Sequence, residues 1–379
     1  VISPTGSGKS LIIYTLIRFF LDHSTKINNG KKILLIVPTV ALVHQMLGDF
    51  AAYSEKDDWN AGDHIHIVHE GINPFTEKLI TISTWQSIYN LPKKFFADFE
   101  VVIGDEAHTF QAKSLKKLME KLDTCQFRYG TTGTLSNAQA HHFLLEGLFG
   151  EQLVVATTSD LIDKGVLSKI LIKALELQYS EKDKQALHRL VSKGGPKKKY
   201  ATECEFLGTH LARNRFCLNL VKNMKNNTVI LVRLKSNHGK ILYEMFKNEL
   251  TDRNVYYVDG DVSGCDRDLL RPIIEKESNC VVIATAGVFS MGINIKNIHN
   301  IILFAGTKSK ISVLQSIGRG IRKLDEKERL TVYDVYDNMR YGTTNNCSLD
   351  HFPDRMGFYV VEDFPLRHFN IPLDKTTGC

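Results

Sequence analysis

Ser3-Pro4-Thr5-Gly6-Ser7-Gly8-Lys9-Ser10 stands at the head of the chain, followed by the helix-like stretch Leu11–Leu21 and the apolar run Lys32–Val37 (KILLIV). Gly6 and Gly8 let the backbone turn tightly and aim N–H groups at phosphate oxygens. Lys9 sets a positive charge beside β- and γ-phosphates, and Ser10 offers a hydroxyl to Mg2+. A helix starting near Lys9 turns its positive dipole end to the same anion. The loop Thr5–Ser10 therefore reads as a nucleotide-binding loop of the Walker A type, with Ser3 where that motif usually has Gly. An uninterrupted apolar strand such as ILLIV suits a parallel sheet covered on both faces, so the fold class is α/β.

The alternation continues outward from this stretch. Ile65–Val68, Leu79–Ser83, Val101–Ile103 and Phe127–Thr131 read as strands, and Val40–Ala52, Leu115–Leu122 and 138–148 as helices. After a connection over Phe149–Ser168 the pattern restarts. Strands are expected at Thr228–Leu234, Val255–Val258, 280–285, Asn300–Ala305 and Leu330–Val335, and helices at His238–Leu250, 266–277 and Ile311–Lys323. This gives an α/β domain over 1–155, a second over 156–340 and an aromatic-rich tail over 341–379. The stretch Lys193–Tyr200 (KGGPKKKY) reads as a basic loop, either solvated or in contact with DNA phosphates.

Composition narrows the classes. The 379 residues carry 43% hydrophobic and 24% charged residues, which is globular and not disordered. No uncharged apolar run reaches the roughly 18–20 residues of a membrane span. Seven cysteines, odd in number, widely spaced and without a CxxC pair, argue against a disulfide framework and fit a reducing, cytoplasmic setting. His64, His66 and His69 alternate with apolar residues and read as an exposed strand face in preference to a metal site. Net charge is uneven: residues 1–155 hold 14 Lys+Arg against 16 Asp+Glu, and residues 156–379 hold 34 against 26. A basic second half is compatible with nucleic acid.

Two further motifs carry chemistry. Val101-Val-Ile-Gly-Asp105-Glu106-Ala-His108 is an apolar strand ending in two acids, the Walker B arrangement. Asp105 can hold Mg2+ and Glu106 can orient and deprotonate the attacking water. In Gln315-Ser-Ile-Gly-Arg319-Gly-Ile-Arg322, spacings of four and three bring Gln315, Arg319 and Arg322 toward one helix face, suited to spreading charge on a γ-phosphate.

Together these motifs resemble a superfamily 2 helicase of the DEAH type, over nearly the whole chain. The resemblance implies two RecA-like parallel-sheet domains in tandem with ATP in the interdomain cleft. It also implies an ATP hydrolase using ATP and Mg2+. Pro38 and Thr39 match motif Ia, and Thr84 and Gln86 in Thr84-Trp85-Gln86-Ser87 match the next backbone-contacting motif; Trp85 also reads as core. Thr132-Gly133-Thr134 matches motif III, so Thr132 and Thr134, with His108, are implied to couple hydrolysis to movement. Ala284–Asn294 matches motif V: Thr285 is implied to contact nucleic acid, and Gly292 and Asn294 to approach the nucleotide. Many relatives have Asp where Asn294 stands, and an amide cannot act as a base. Arg233–Gly239, with Lys235, fills the motif IV position.

A finer likeness is to the tailed-phage UvsW helicase group, carried by Ile36–Leu42, 287–290, 295–297 and Lys308-Ser309-Lys310 leading to Val313-Leu314-Gln315. It implies ATP-driven remodelling of forks, junctions and RNA–DNA hybrids in recombination, replication and repair. The implied partner is branched or partly single-stranded DNA, and the implied setting is the host cytoplasm if the chain is phage-encoded. Alternatives are an RNA helicase, an XPB-like duplex DNA motor, or a non-catalytic nucleic-acid-binding module. A single chain holding both Lys9 and Arg319 is expected to work as a monomeric motor. Only Val1 and Ile2 precede the loop as strand, so the first domain is read as truncated, without an adenine-contacting Q-type motif or an accessory N-terminal domain.

Overall fold

Ile33 to Val37 are buried on both faces of the strand, and this places the strand inside a sheet. In a computed structural model, which describes residues 1–55, 59–135, 139–262, 270, 272–292, 295, 297–323 and 327–373, the chain forms two units, Val1–Thr157 and Thr158–Cys379.

In the first unit β1 (Lys32–Val37), β2 (Ile65–Val68), β3 (Ile80–Thr84), β4 (Phe99–Asp105) and β5 (Phe127–Thr131) pair in the order β2-β3-β1-β4-β5, every pair parallel. Side chains alternate across the sheet. Ile33, Leu35 and Val37 pack with Ile13 and Ile17 of α1 (Lys9–His23) and with Val43, Met46 and Phe50 of α2 (Val40–Tyr53). Leu34 and Ile36 pack on the other face with Phe110 and with Leu115 and Leu118 of α3 (Lys113–Lys121). Phe149 of α4 (Gln139–Phe149) and Phe110 press on β4 itself: a Cβ at Gly104 would lie 2.7 Å from the Phe110 ring and 3.1 Å from that of Phe149. Val1–Ser3 extend the sheet past β5, since Ser3 N–H donates to Thr132 O (3.0 Å) and Ile2 N–H to Leu153 O (2.7 Å).

The second unit has β6 (Lys169–Gln178), β7 (Thr228–Val232), β8 (Val255–Val258), β9 (Val281–Thr285), β10 (Asn300–Leu303), β11 (Arg329–Asn338) and β12 (Leu366–Pro372), all parallel, in the order β12-β6-β11-β10-β7-β9-β8. Its helices of seven or more residues that lie wholly among the described residues are α5 (Glu181–Gly194), α6 (Pro196–Thr209), α7 (Leu211–Lys222), α8 (Ile241–Glu249), α9 (Ala286–Gly292), α10 (Lys310–Gly320) and α11 (Cys347–Val361).

Several expectations change here. Lys193–Tyr200 is not a loop: α5 runs to Gly194 and α6 starts at Pro196, with Gly195 between them at φ 66°. Proline is tolerated at a helix start because the N–H it lacks has no intrahelical acceptor there. β6 was not expected, because Lys173 and Glu176 interrupt its apolar pattern; it pairs with β11 over ten positions. The helix expected at His238–Leu250 starts instead as a π-helical turn, Lys235–Lys240. Most of 266–271 in the expected helix 266–277 lies outside the described residues.

Residues 341–379, expected as a tail, supply α11 and the edge strand β12. Buried charge ties them in. The Asp334 carboxylate on β11 accepts from Arg355 Nε (2.9 Å) and Tyr359 O–H (2.7 Å), both on α11. Buried Glu203 of α6 accepts from the N–H groups of Cys347 (2.6 Å) and Ser348 (2.7 Å) at the α11 N-terminus, where helix polarity favours an anion. Asp337 is bridged to Arg213 of α7 (2.7 Å) and accepts from Tyr179 O–H (2.6 Å). Breaking one partner of such a pair leaves an uncompensated buried charge. Arg355→Leu should therefore lower unfolding free energy by about 3–5 kcal/mol, measured by urea denaturation. A loss near zero would mean that the Asp334 carboxylate finds water.

Candidate nucleotide and nucleic-acid site

The loop before α1 adopts a backbone that glycine permits: Gly6 has φ 86° and Gly8, the N-cap of α1, φ 88°. Lys9 Nζ turns back over the loop and donates to Ser3 O (3.2 Å) and Pro4 O (3.3 Å). Ser3 Oγ donates to Ser7 Oγ at 2.6 Å. Thr132-Gly133-Thr134 lies against this loop. A Cβ at Gly133 would stand 3.1 Å from Lys9 Nζ and 3.2 Å from Thr5 Oγ1.

β4 delivers the acidic pair. It runs two residues beyond the expected stretch and ends in Asp105, which is buried and accepts from Thr131 Oγ1 at 2.9 Å. Burial first, and then the charge of neighbouring Glu106, push its carboxyl up to about 6, while the Lys9 charge and the Thr131 hydrogen bond pull the other way. Glu106 takes a left-handed backbone (φ 51°) and breaks the chain out of the strand into the short 3-10 turn Ala107–Gln111.

His108 links this pair to the Thr132 segment. Its Nδ1 lies 3.0 Å from Thr132 Oγ1 and 3.3 Å from Glu106 Oε2. Thr132 Oγ1 itself donates to Thr134 O (3.0 Å), so His108 Nδ1 is the donor to Thr132. Lys9, Thr5, Asp105, Glu106, His108, Thr132 and Thr134 thus form one connected group at the carboxyl ends of parallel strands, where open α/β sheets place ligands. Ser10 Oγ lies 2.8 Å from Tyr53 Oη.

The expected nucleic-acid residues of the first unit also follow strand ends. Pro38 and Thr39 follow β1, and Thr39 Oγ1 caps α2 by accepting from Leu42 N–H (3.3 Å). Thr84 ends β3 with its hydroxyl on Ser87 Oγ (2.8 Å), and Gln86 is exposed.

In the second unit Thr285 ends β9, Gly292 ends α9, and Asn294 lies outside the described residues. Lys235, in the π-helical turn after β7, is paired with Asp261 at 2.6 Å. Gln315 and Arg319 lie on α10, both half-buried. Arg322 departs from the expected single helix face. α10 stops at Gly320, and Arg322 pairs as an antiparallel bridge with Leu167.

Two contacts of the group were not foreseen. Thr131 faces Asp105 through the β4–β5 register, and Tyr53 reaches Ser10 across 43 residues. The first follows from the parallel register of β4 and β5, and neither has a local signal in the sequence.

Comparison with known proteins adds a separate line. Residues 1–137 match the family described as type III restriction enzyme, res subunit, and residues 212–323 match the helicase conserved C-terminal domain. The chain is 32% identical to the ATP-dependent DNA helicase UvsW of enterobacteria phage T4, over 95% of this chain and 71% of that protein. The chain belongs to the UvsW family of superfamily 2 helicases. It is also 23% identical to the DNA 3'-5' translocase XPB2 of Sulfurisphaera tokodaii, over 87% of this chain and 76% of the relative. The structure of Saccharomyces cerevisiae Dbp5 bound to RNA and ADP BeF3 shares the fold, with a TM-score of 0.62 at 14% identity over 99% of this chain and 85% of Dbp5.

The raised Asp105 carboxyl has a consequence for this family member. Its folded value lies above its unfolded value, so ionisation costs stability as pH rises from about 4 to above 6. Asp105→Asn keeps an acceptor for Thr131 and removes the charge. Without nucleotide or metal it should raise unfolding free energy at pH 7.5 by on the order of 3 kcal/mol and do little at pH 4. Thermal melts at the two pH values check this, and equal gains at both would place the cost elsewhere.

Proposed function

We propose that this chain is an ATP-dependent DNA helicase or translocase that remodels branched DNA such as forks, junctions and R-loops. The observation that carries this reading is the connected group around Lys9, Asp105 and Glu106, in a chain 32% identical to a phage DNA helicase.

In this reading Gly6 to Ser10 hold the ATP phosphates by backbone N–H groups, the α1 N-terminus and the Lys9 ammonium. Ser10 and Asp105 are hard oxygen donors suited to Mg2+, and a raised carboxyl pKa marks a site that gains from a cation. Mg2+, when bound, would neutralise charge on the phosphate oxygens. Among the described residues no cluster of three or more His, Cys, Asp or Glu could hold a metal, and a magnesium bound largely by phosphates and water needs none. Glu106 orients the attacking water and takes its proton. Through His108, loss or gain of charge at Glu106 is felt at Thr132 and Thr134. Gln315 and Arg319 serve the γ-phosphate, with Arg319 as the finger; for Arg322, which lies beyond the end of α10, the same role requires its side chain to reach back from the bridge with Leu167. Gly292 and Asn294 approach the nucleotide. Pro38, Thr39, Thr84, Gln86, Lys235 and Thr285 are assigned to the nucleic-acid backbone, so binding carries little sequence preference; Thr84 and Thr285, being buried, would have to be uncovered to reach it. For Lys235 this requires exchanging Asp261 for a phosphate.

The reading makes the chain a monomeric motor, at work in the host cytoplasm if phage-encoded. No helix among the described residues is long and apolar enough to cross a membrane.

ATP turnover measured with single-stranded, duplex, forked and RNA–DNA hybrid substrates tests the reading. Stimulation should be greatest with forked DNA. Stimulation greatest with linear duplex would favour an XPB-like motor, and hydrolysis indifferent to nucleic acid would sink the proposal. Lys9→Ala should abolish turnover while DNA binding, followed by fluorescence anisotropy, survives. Arg319→Ala should cost about 10³-fold or more in turnover; a loss under tenfold would make Arg319 structural.

A further inference from the structure

Ser10, assigned above to the metal, has a partner that no motif supplies. Tyr53 is the last residue of α2, and its phenol oxygen lies 2.8 Å from Ser10 Oγ. The Tyr53 ring is not loose. It meets the Tyr14 ring edge-on at 5.6 Å between centroids, and Tyr14 in turn packs on Phe50 (5.5 Å) and Trp59 (5.8 Å). Arg18 stacks over Trp59 at 4.9 Å and donates to the Tyr14 hydroxyl at 3.0 Å. The phenol is thus held in place from both helices, and Tyr53 itself is half-buried.

A serine hydroxyl has one proton and two lone pairs. If Tyr53 donates to Ser10, one lone pair is used and the Ser10 proton points elsewhere. If Ser10 donates to Tyr53, its proton is turned aside and both lone pairs are free. A cation next to Ser10 Oγ repels the proton and attracts a lone pair, and so selects the second arrangement.

We propose that Tyr53 is a positioning residue for Ser10: it accepts the serine proton, so that the hydroxyl oxygen faces the Mg2+ of bound Mg-ATP. This rests on the nucleotide-site reading given above. Tyr53 touches neither phosphate nor metal and acts through Ser10.

The test is equilibrium binding of a fluorescent ATP analogue titrated with Mg2+, on the full chain, with Tyr53→Phe, Ser10→Ala, the double variant and Lys9→Ala. Tyr53→Phe keeps the ring and its packing. It should raise the Mg2+ concentration for half-maximal binding about 2–10-fold, as loss of one hydrogen bond implies, and leave metal-free nucleotide affinity unchanged. In the Ser10→Ala background the same change should add nothing. An unchanged Mg2+ midpoint in Tyr53→Phe, or an equal shift with and without Ser10, would overturn the proposal. If Lys9→Ala binds nucleotide as the parent does, the nucleotide-site reading fails and takes this proposal with it.

Discussion

Burial of the Asp105 carboxylate is the constraint on which the first unit depends. A charge at the end of a central strand is costly out of water, and its carboxyl rises to about 6 in consequence. What surrounds it offsets that cost: the Thr131 hydroxyl at 2.9 Å and the positive charge of Lys9. The apolar residues of β4 and the rings of Phe110 and Phe149 hold the strand so that its last residue cannot withdraw into solvent. The fold therefore keeps a carboxylate where a cation would relieve it. The surrounding residues, from Gly133 against Lys9 to His108 on Thr132, are arranged about that point.

The second unit solves a different problem with similar means. Among the described residues its seven strands end in no neighbouring acid pair like Asp105–Glu106, but β11 carries two fully buried aspartates, Asp334 and Asp337. Each is matched by an arginine from a different helix and by a tyrosine hydroxyl. Such pairs are weak evidence of net stability, since desolvation opposes their attraction. Their effect is geometric. Arg355 and Tyr359 fix α11 over β11, and Arg213 fixes α7 and reaches His238 in the π-helical turn that carries Lys235.

Some of this architecture was legible from residues alone, and some was hidden for identifiable reasons. β1, β2, β5 and β8 have the expected bounds because short stretches rich in β-branched and aromatic residues between polar or Gly breaks leave little choice. β6 was hidden because Lys173 and Glu176, on opposite faces of the strand, interrupt its apolar run; Lys173 lies over the Tyr333 ring and Glu176 accepts from Tyr336 O–H and Asn338 Nδ2. Lys193–Tyr200 misled because Gly and Pro usually punctuate loops; here Gly195 ends one helix and Pro196 begins the next. Arg322 followed the helical spacing on paper, but α10 ends at Gly320, where a side chain would strike Ile301 and Leu330 at under 3 Å.

By itself the sequence determined the local chemistry: a glycine-rich loop with lysine and serine at its end, an acid pair closing an apolar strand, and a spaced glutamine and arginines. These are local because backbone freedom, strand periodicity and helical spacing act over a few residues. The tertiary structure alone decided which groups meet. It set Thr131 against Asp105, His108 against Thr132, Gly133 against Lys9 and Tyr53 against Ser10, and it placed the C-terminal segment in the second sheet. Parallel strands are joined by long crossovers, so residues that meet beyond their carboxyl ends, such as His108 and Thr132 or Asp105 and Thr131, lie 24 and 26 positions apart. No local pattern encodes such a meeting; strand order and register create it.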